Sequence, residues 1–351
     1  MLQTLTIEGF RCFDRVDLAP CKGFNFFVGP NAVGKTSLLE AICVLLRLQS
    51  PRTNSLSKCV RFGSESFRLD AQLAEMHLEF RWWHGTRSLF VDSVPQARSD
   101  YYLTGGRITW FSNDDLQLVR GPSAARRRYL DFLGCQLEPG YYVALRAYER
   151  ALRARNFLLR EERPRREIDA YTQPLLENGN RVLAARARFF PKLAAEIAHA
   201  VREIAGTSEE VEVEYLSGCG QTTFENALAA SRQTEERLRQ TCAGPHRDDF
   251  SLCMAGRSAA EFASEGQQRT LALALKLAQS RMLEQAAGTP PILLLDDIFG
   301  ELDPARRNRL LAALSPSSQK FVTTTFLDWF DAVPDQECRI SCLQRGVICY
   351  K

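Results

Sequence analysis

Phe24-Asn25-Phe26-Phe27-Val28-Gly29-Pro30-Asn31-Ala32-Val33-Gly34-Lys35-Thr36 is the stretch that decides the fold. Its first five residues form a short, nearly continuous apolar run, the texture of a strand buried on both faces. The remaining eight fit G-x-x-x-x-G-K-T, and a helix is expected over residues 37–47. In this strand–loop–helix context the glycines let backbone N–H groups turn inward around phosphate oxygens. The helix N-terminus adds positive potential. The pattern assigns Gly29, Pro30, Asn31, Ala32, Val33, Gly34, Lys35, Thr36 and Ser37 to a nucleotide. Lys35 is expected on the β- and γ-phosphates and Thr36 on Mg²⁺.

A second motif completes the first. Ile292-Leu293-Leu294-Leu295-Asp296-Asp297 reads as a buried strand ending in two acids. Asp296 is the expected Mg²⁺ holder and Asp297 the expected general base for an attacking water. Lys35 and Asp296 stand near opposite ends of the chain, so something of domain size lies between them.

The texture in between changes twice. Alternating residues from Leu2 to Leu18 suggest an antiparallel pair, and residues 67–91 suggest further strands, followed by one at Ile108–Phe111. From about 123 to 205, alanine, leucine, arginine and glutamate recur with helical spacing, punctuated by Pro164 and Pro174. A strand over Val211–Leu216 and a charged helix over residues 223–240 follow. Strand–turn–helix texture then returns from Phe250, with a final strand at residues 320–325. The expected architecture is α/β. Residues 1–122 and 206–351 form one lobe, with the P-loop, around a mixed sheet, and 123–205 form an inserted, mostly helical second lobe.

Ser264-Glu265-Gly266-Gln267-Gln268 precedes the longest helix of the second half. Ser264 and Gln267 have the spacing of a capping box. The same serine, glycine and helix start are also what an ABC-type signature uses to meet a γ-phosphate held by another subunit. With Gly300-Glu301-Leu302-Asp303 after the paired acids, this resembles the ABC ATPase heads of the SMC family. Within that group the match narrows to the RecF family of bacterial recombination mediators. The blocks that carry it run in order along nearly the whole chain: Ile7–Phe13, Gly34–Ile42, Asp115–Gly121, Arg126–Asp131, Gly244–Asp249 and Ser264–Leu277.

The resemblance implies an ABC-type P-loop ATPase head of two lobes with no long coiled coil, ATP and Mg²⁺ as cofactors, an ATP-dependent homodimer, and DNA (gapped, single-stranded or duplex) as partner. Ser264, Gly266 and Gln267 would act in trans and Asp303 would line the interface. It implies RecR and RecO as protein partners in loading RecA at single-strand gaps, support of the SOS response, and a weak, DNA-stimulated ATPase serving as a switch. Three departures stand out. Ala32 replaces the family's glycine, Glu265 adds an acid to the signature, and Asn113-Asp114 replaces a proline-bearing turn where the Q-loop is expected. No histidine ends the strand at 320–325, so Thr324 or Thr325 is the expected switch residue.

For DNA, two arginine groups are candidates: Arg126, Arg127 and Arg128, and the helical face of Arg146, Arg150 and Arg153. Arg155, Arg160, Arg163, Arg165 and Arg166 crowd the same insertion, interleaved with Glu149, Glu161 and Glu162, which fits a solvated, salt-bridged face equally well. His246, in the Gly244–Asp249 block, reads as a hydrogen-bonded turn residue.

Composition sets the bounds. The chain has 351 residues, 45% hydrophobic and 25% charged, as in a folded globular protein, with a net charge of only +3. Arginine outnumbers lysine about five to one, and arginine suits bidentate phosphate contacts. No apolar run approaches the ~18 residues of a membrane span, and the start lacks the pattern of an export signal. The eleven cysteines include no Cys-x-x-Cys pair, and read as reduced, mostly packed thiols. A cytoplasmic, nucleoid-associated protein without a membrane partner is expected. A transporter ATPase subunit and a P-loop metabolic kinase are the competing readings. The arginine-rich insertion disfavours the first, and the Ser264–Gln268 motif has no purpose in the second.

Overall fold

The computed structural model describes residues 1–53, 55–206, 210–330, 336–344 and 347–350. The chain divides into two compact units: Met1–Asp115 with Gln279–Lys351, and Leu116–Ala278.

The first unit holds two six-stranded sheets. One is antiparallel, in the order Phe13–Leu18, Leu2–Phe10, Ser66–Leu73, Met76–Trp83, Thr86–Val91, Val94–Pro95. Its strands alternate as the sequence does, with Leu2, Leu5, Ile7 and Phe10 turned inward and, on the neighbouring strand, Phe67, Leu69, Ala71 and Leu73. The other runs Val347–Tyr350, Cys338–Gln344, Phe24–Val28, Lys320–Thr324, Ile292–Asp296, Ile108–Ser112. Its last five members are parallel and Val347–Tyr350 is an antiparallel edge. Parallel strands covered on both faces are apolar throughout, which is why Leu293, Leu294 and Leu295 have no exposed surface.

The helix Lys35–Arg47 packs against strands of both sheets and buries every residue but Thr36. That burial extends to Glu40, a carboxylate that needs partners in such a place. Arg11 supplies two hydrogen bonds, at 2.8 and 2.6 Å, and Ser50 and Arg52 add theirs. The helix starts two residues earlier than its apolar spacing suggested, because the glycine turn ends at Gly34 and Lys35 is already helical. The hairpin of Cys338–Gln344 and Val347–Tyr350 was not foreseen. Arg339, Ser341 and Gln344 break its apolar pattern.

The second unit is mostly helical, with Ser123–Leu137, Tyr141–Arg160 and the long Thr172–Ala205. It also contains a three-stranded sheet, in the order Arg257–Ser258, Asp249–Met254, Val211–Leu216. It therefore takes in residues 116–122 and 206–278, which the sequence places with the other lobe. The reason is pairing: Val211–Leu216 runs antiparallel to Asp249–Met254 along its whole length and packs on Thr172–Ala205. Pro174 sits in the first turn of that long helix, where a missing N–H costs nothing. The charged helix expected over 223–240 is two, Phe224–Ala230 and Arg232–Leu238, separated at Ser231.

Charges are buried inside this unit. Arg186 is almost wholly enclosed and donates to Asp131, Asp248 and the Pro245 carbonyl. Arg155 and Glu235 are both completely inaccessible and form a two-pronged pair at 3.0 and 2.7 Å. Arg155 thus leaves the exposed arginine face that the sequence assigned it to. No helix among the described residues is long and apolar enough to cross a membrane.

His246 sits in a short turn of 3-10 helix, Pro245–Arg247. Its Nε2–H donates to the Thr241 carbonyl at 3.0 Å, so Nδ1 accepts from the Tyr148 hydroxyl. Burial pushes this imidazole down to about 4. The neutral ring therefore favours the folded state fully above about pH 6.5, and that contribution is lost as pH falls from 6.5 through 4. Denaturant unfolding of the parent should show a falling midpoint across this window, and His246→Gln should flatten that part of the profile.

Candidate functional site

Three neighbouring parallel strands end side by side. Val28 leads into the loop, Asp296 closes its strand, and Thr323 and Thr324 pair between them. Ligand sites of open parallel sheets gather beyond such carboxyl ends. Here the ends border a cavity of about 340 Å³ lined by Lys35, Thr36, Ser37, Asp296 and Asp297 together with Asn31, Ala32 and Gly34. Cys12 and Arg52, absent from the sequence reading of the site, also line it.

The loop is tightly turned, with positive φ at Ala32 and Gly34. Gly34 has φ 109°, and a Cβ there would stand 2.5 Å from Cys12 Sγ. Ala32 has φ 65°, so the position the sequence flagged does lie in the left-handed region, where a Cβ costs roughly 1–2 kcal/mol. Lys35 Nζ donates to the Gly29 and Pro30 carbonyls, each at 2.8 Å. Burial lowers the pKa of this ammonium, and Asp297 and Asp296 oppose the shift.

The two sequence motifs meet directly. Thr36 Oγ1 donates to Asp296 Oδ1 at 2.9 Å. Thr323 Oγ1 donates to the same oxygen at 2.7 Å. Burial raises the pKa of Asp296 against the pull of these two hydrogen bonds. Asp297, at φ 52°, is also raised by burial, with Lys35 opposing and Glu301 reinforcing. Asn113 donates to Glu301 Oε1 at 3.0 Å and more weakly to the Asp297 carbonyl at 3.4 Å, which brings the expected Q-loop turn to the acids. Thr324, expected as a switch residue, instead turns its hydroxyl to the Phe326 carbonyl. Only strand register reveals Thr323; its position in the sequence carries no signal.

The remaining candidates are placed as follows. Ser264 and Gln267 form the expected capping box: Gln267 N–H to Ser264 Oγ at 3.2 Å and Ser264 N–H to Gln267 Oε1 at 2.9 Å. Ser264 is exposed, and Gly266 lies in the first turn of the helix Glu265–Ala287. The added acid, Glu265, pairs with Arg269 at 2.9 Å. Asp303 is exposed and caps Pro304–Ala313. Among the arginines, Arg126 is committed to Asp249 through two hydrogen bonds, at 2.6 and 2.8 Å. Arg127 donates to the Asp248 carbonyl. Arg128, Arg146, Arg150 and Arg153 are exposed, with Glu149 close to Arg146 and Arg153.

The RecF/RecN/SMC N terminal domain model matches residues 1–348. The DNA replication and repair protein RecF of Symbiobacterium thermophilum is 36% identical over 344 residues, covering 93% of this chain and 92% of that protein. That of Rippkaea orientalis is 34% identical, covering 99% of each. The chain belongs to the RecF family. Its backbone agrees with the solved structure of the recombination mediator protein RecF-ATPrS in the RecFOR pathway, with a TM-score of 0.89 at 28% identity, covering 100% of this chain and 98% of that one. The Smc head domain of Pyrococcus furiosus shares the fold at TM-score 0.56 and 17% identity. The expected ABC ATPase head of the SMC type, α/β with a mostly helical second part, is thus the observed fold.

In this RecF-family chain the strained Ala32 gives a direct test. Ala32→Gly removes the Cβ penalty at the expense of a looser unfolded chain, for a net gain of up to about 1 kcal/mol. Ala32→Val should lose at least as much. Denaturant midpoints of the nucleotide-free variants should rank Gly above Ala above Val.

Proposed function

We propose that this chain is an ATP-dependent DNA-binding protein of recombinational repair and replication-fork maintenance, with ATP driving two copies together on DNA. The observation that carries the reading is the Thr36–Asp296 contact at the foot of a glycine loop, inside a cavity that also holds Lys35 and Asp297. RecF structures described as RecF-ATPrS and RecF-ATP in the RecFOR pathway support ATP as the nucleotide.

The residues fit both ATP and its metal. Backbone N–H groups of Asn31 to Thr36 and the Lys35 ammonium would bind the phosphates. The Thr36 hydroxyl and the Asp296 carboxylate are hard oxygen donors in contact, the kind of set that holds Mg²⁺. Mg²⁺ supplies charge neutralisation on the phosphate oxygens. Asp297, whose pKa burial raises, is suited to accept a proton from water. Ser264, Gly266 and Gln267 would meet the γ-phosphate held by a second copy, with Asp303 at the interface. Hydrolysis would be slow and stimulated by DNA, and ATP would act mainly as a switch.

For DNA, Arg128, Arg146, Arg150 and Arg153 are the better candidates, because they are exposed, whereas Arg126 and Arg127 are half-buried and turned to Asp249 and the Asp248 carbonyl; the Glu149 contacts of Arg146 and Arg153 are exposed pairs that a phosphate can displace. Such contacts confer affinity for phosphates without reading sequence. By likeness to its relatives the protein would work with RecR and RecO to load RecA at single-strand gaps, and so support the SOS response in the nucleoid.

Ultracentrifugation and binding to gapped duplex DNA test this together. With ATP and Mg²⁺ the parent should dimerise and bind DNA more tightly, and binding should weaken steeply with salt. Lys35→Met should lose ATP binding. Ser264→Arg should still bind ATP but dimerise about tenfold more weakly or worse, roughly 1.4 kcal/mol. Parental dimerisation of Ser264→Arg would rule out the composite site.

A further inference from the structure

Thr323 occupies a junction that none of the sequence motifs names. Its strand lies between the loop strand and the acid strand, and Thr323 is paired with Phe27 on one side and Asp296 on the other. The residue is completely buried. Its single hydroxyl is used twice. The proton goes to Asp296 Oδ1 at 2.7 Å, and the oxygen accepts the Asp297 N–H at 3.0 Å. The same N–H also reaches the Thr323 carbonyl, at 3.2 Å.

Both contacts fall on groups whose geometry matters. Asp297 stands at φ 52°, a backbone conformation that a non-glycine residue keeps only where its surroundings over-determine it. Thr323 supplies two acceptors for the N–H of that strained residue. Asp296 receives Thr36 Oγ1 on the same Oδ1, so two hydroxyls, one from the helix after the loop and one from the neighbouring strand, fix the orientation of one carboxylate. Thr324 is no substitute, since its hydroxyl is engaged with the Phe326 carbonyl at 2.8 Å.

We infer that Thr323 is the positioning residue of this centre: one hydroxyl orients the carboxylate that would hold Mg²⁺ and pins the backbone of the adjacent general base. This rests on the ATPase reading above. Valine at 323 would keep the shape and the burial, but would leave Asp296 Oδ1 with one donor and the Asp297 N–H with the longer acceptor alone. Serine would keep both bonds.

The test compares full-length parent, Thr323→Val, Thr323→Ser and Thr324→Val. ATP binding is measured by calorimetry in EDTA and in Mg²⁺, and hydrolysis in single turnover. Thr323→Val should bind ATP in EDTA within about twofold of the parent, while its gain in affinity on adding Mg²⁺ shrinks about fivefold or more and its hydrolysis falls about tenfold or more, the scale of one lost hydrogen bond to a charged group. Thr323→Ser should restore both to within about threefold, and Thr324→Val should move neither beyond about twofold. Should the valine chain fail to fold, Thr323→Cys, similar in size with a weak donor, takes its place and should fall between serine and valine. A valine or cysteine variant with parental Mg²⁺ gain and hydrolysis overturns the inference, as does a serine variant no better than valine. A Lys35→Met chain that hydrolyses ATP at the parental rate overturns the ATPase reading instead, whatever Thr323 does.

Discussion

Asp296 is a carboxylate at the end of a strand with no exposed apolar residue, and its satisfaction organises the site. A buried carboxylate without donors would be costly enough to disrupt the strand end. The donors come from two different elements, Thr36 from the helix after the loop and Thr323 from the strand next to the acid strand. Each bond requires its strand to stop at a set level, and the parallel register supplies that level: Val28 opposite Thr324, and Thr323 opposite Asp296. The glycine loop, the lysine and the second acid then follow as direct extensions of those strand ends. The geometry of the loop and the acids is thus a property of the sheet as much as of the loop.

Much of this is legible along the chain because it is local. The strand, loop and helix from Phe24 to Arg47 announce themselves by apolar runs and fixed glycine spacing, and the acids at 296 and 297 by the strand they close. The capping box of Ser264 and Gln267 needs only a spacing of three. What escaped notice depends on partners far away in sequence. Thr323 acquires its role only from the register with Asp296. Arg126 lost its place as a free cation because Asp249, distant in the chain, folds against it. Residues 206–278 joined the second unit because one strand of the pair lies beyond the helices. Periodicity identifies elements; it does not reveal which element pairs with which.

Arginine content illustrates the same gap. Abundance invites a reading of surface phosphate contacts, yet Arg155 and Arg186 are interior and Arg126 is tied into an ion pair. Within the second unit the buried guanidinium of Arg186 joins two helices to the turn around Pro245, through Asp131, the Pro245 carbonyl and Asp248. Arginine suits such places because its planar fork satisfies several acceptors at once. Of the arginines in the two candidate groups, Arg128, Arg146, Arg150 and Arg153 stay exposed, and Arg160, Arg163 and Arg166 of the same unit are exposed beside them.

The order of the parallel sheet also governs how the protein is made. Phe24–Val28 is made about 290 residues before either of its neighbours, Lys320–Thr324 and Cys338–Gln344. At ordinary translation rates the interval is on the order of tens of seconds. Over that time Phe24, Phe26 and Phe27 have no native strand on either side, and an unpaired apolar strand is a template for wrong pairing. The sheet therefore closes only once residues 320–344 have been made, and the nascent chain with Phe24–Val28 still bare is the form most exposed to misfolding.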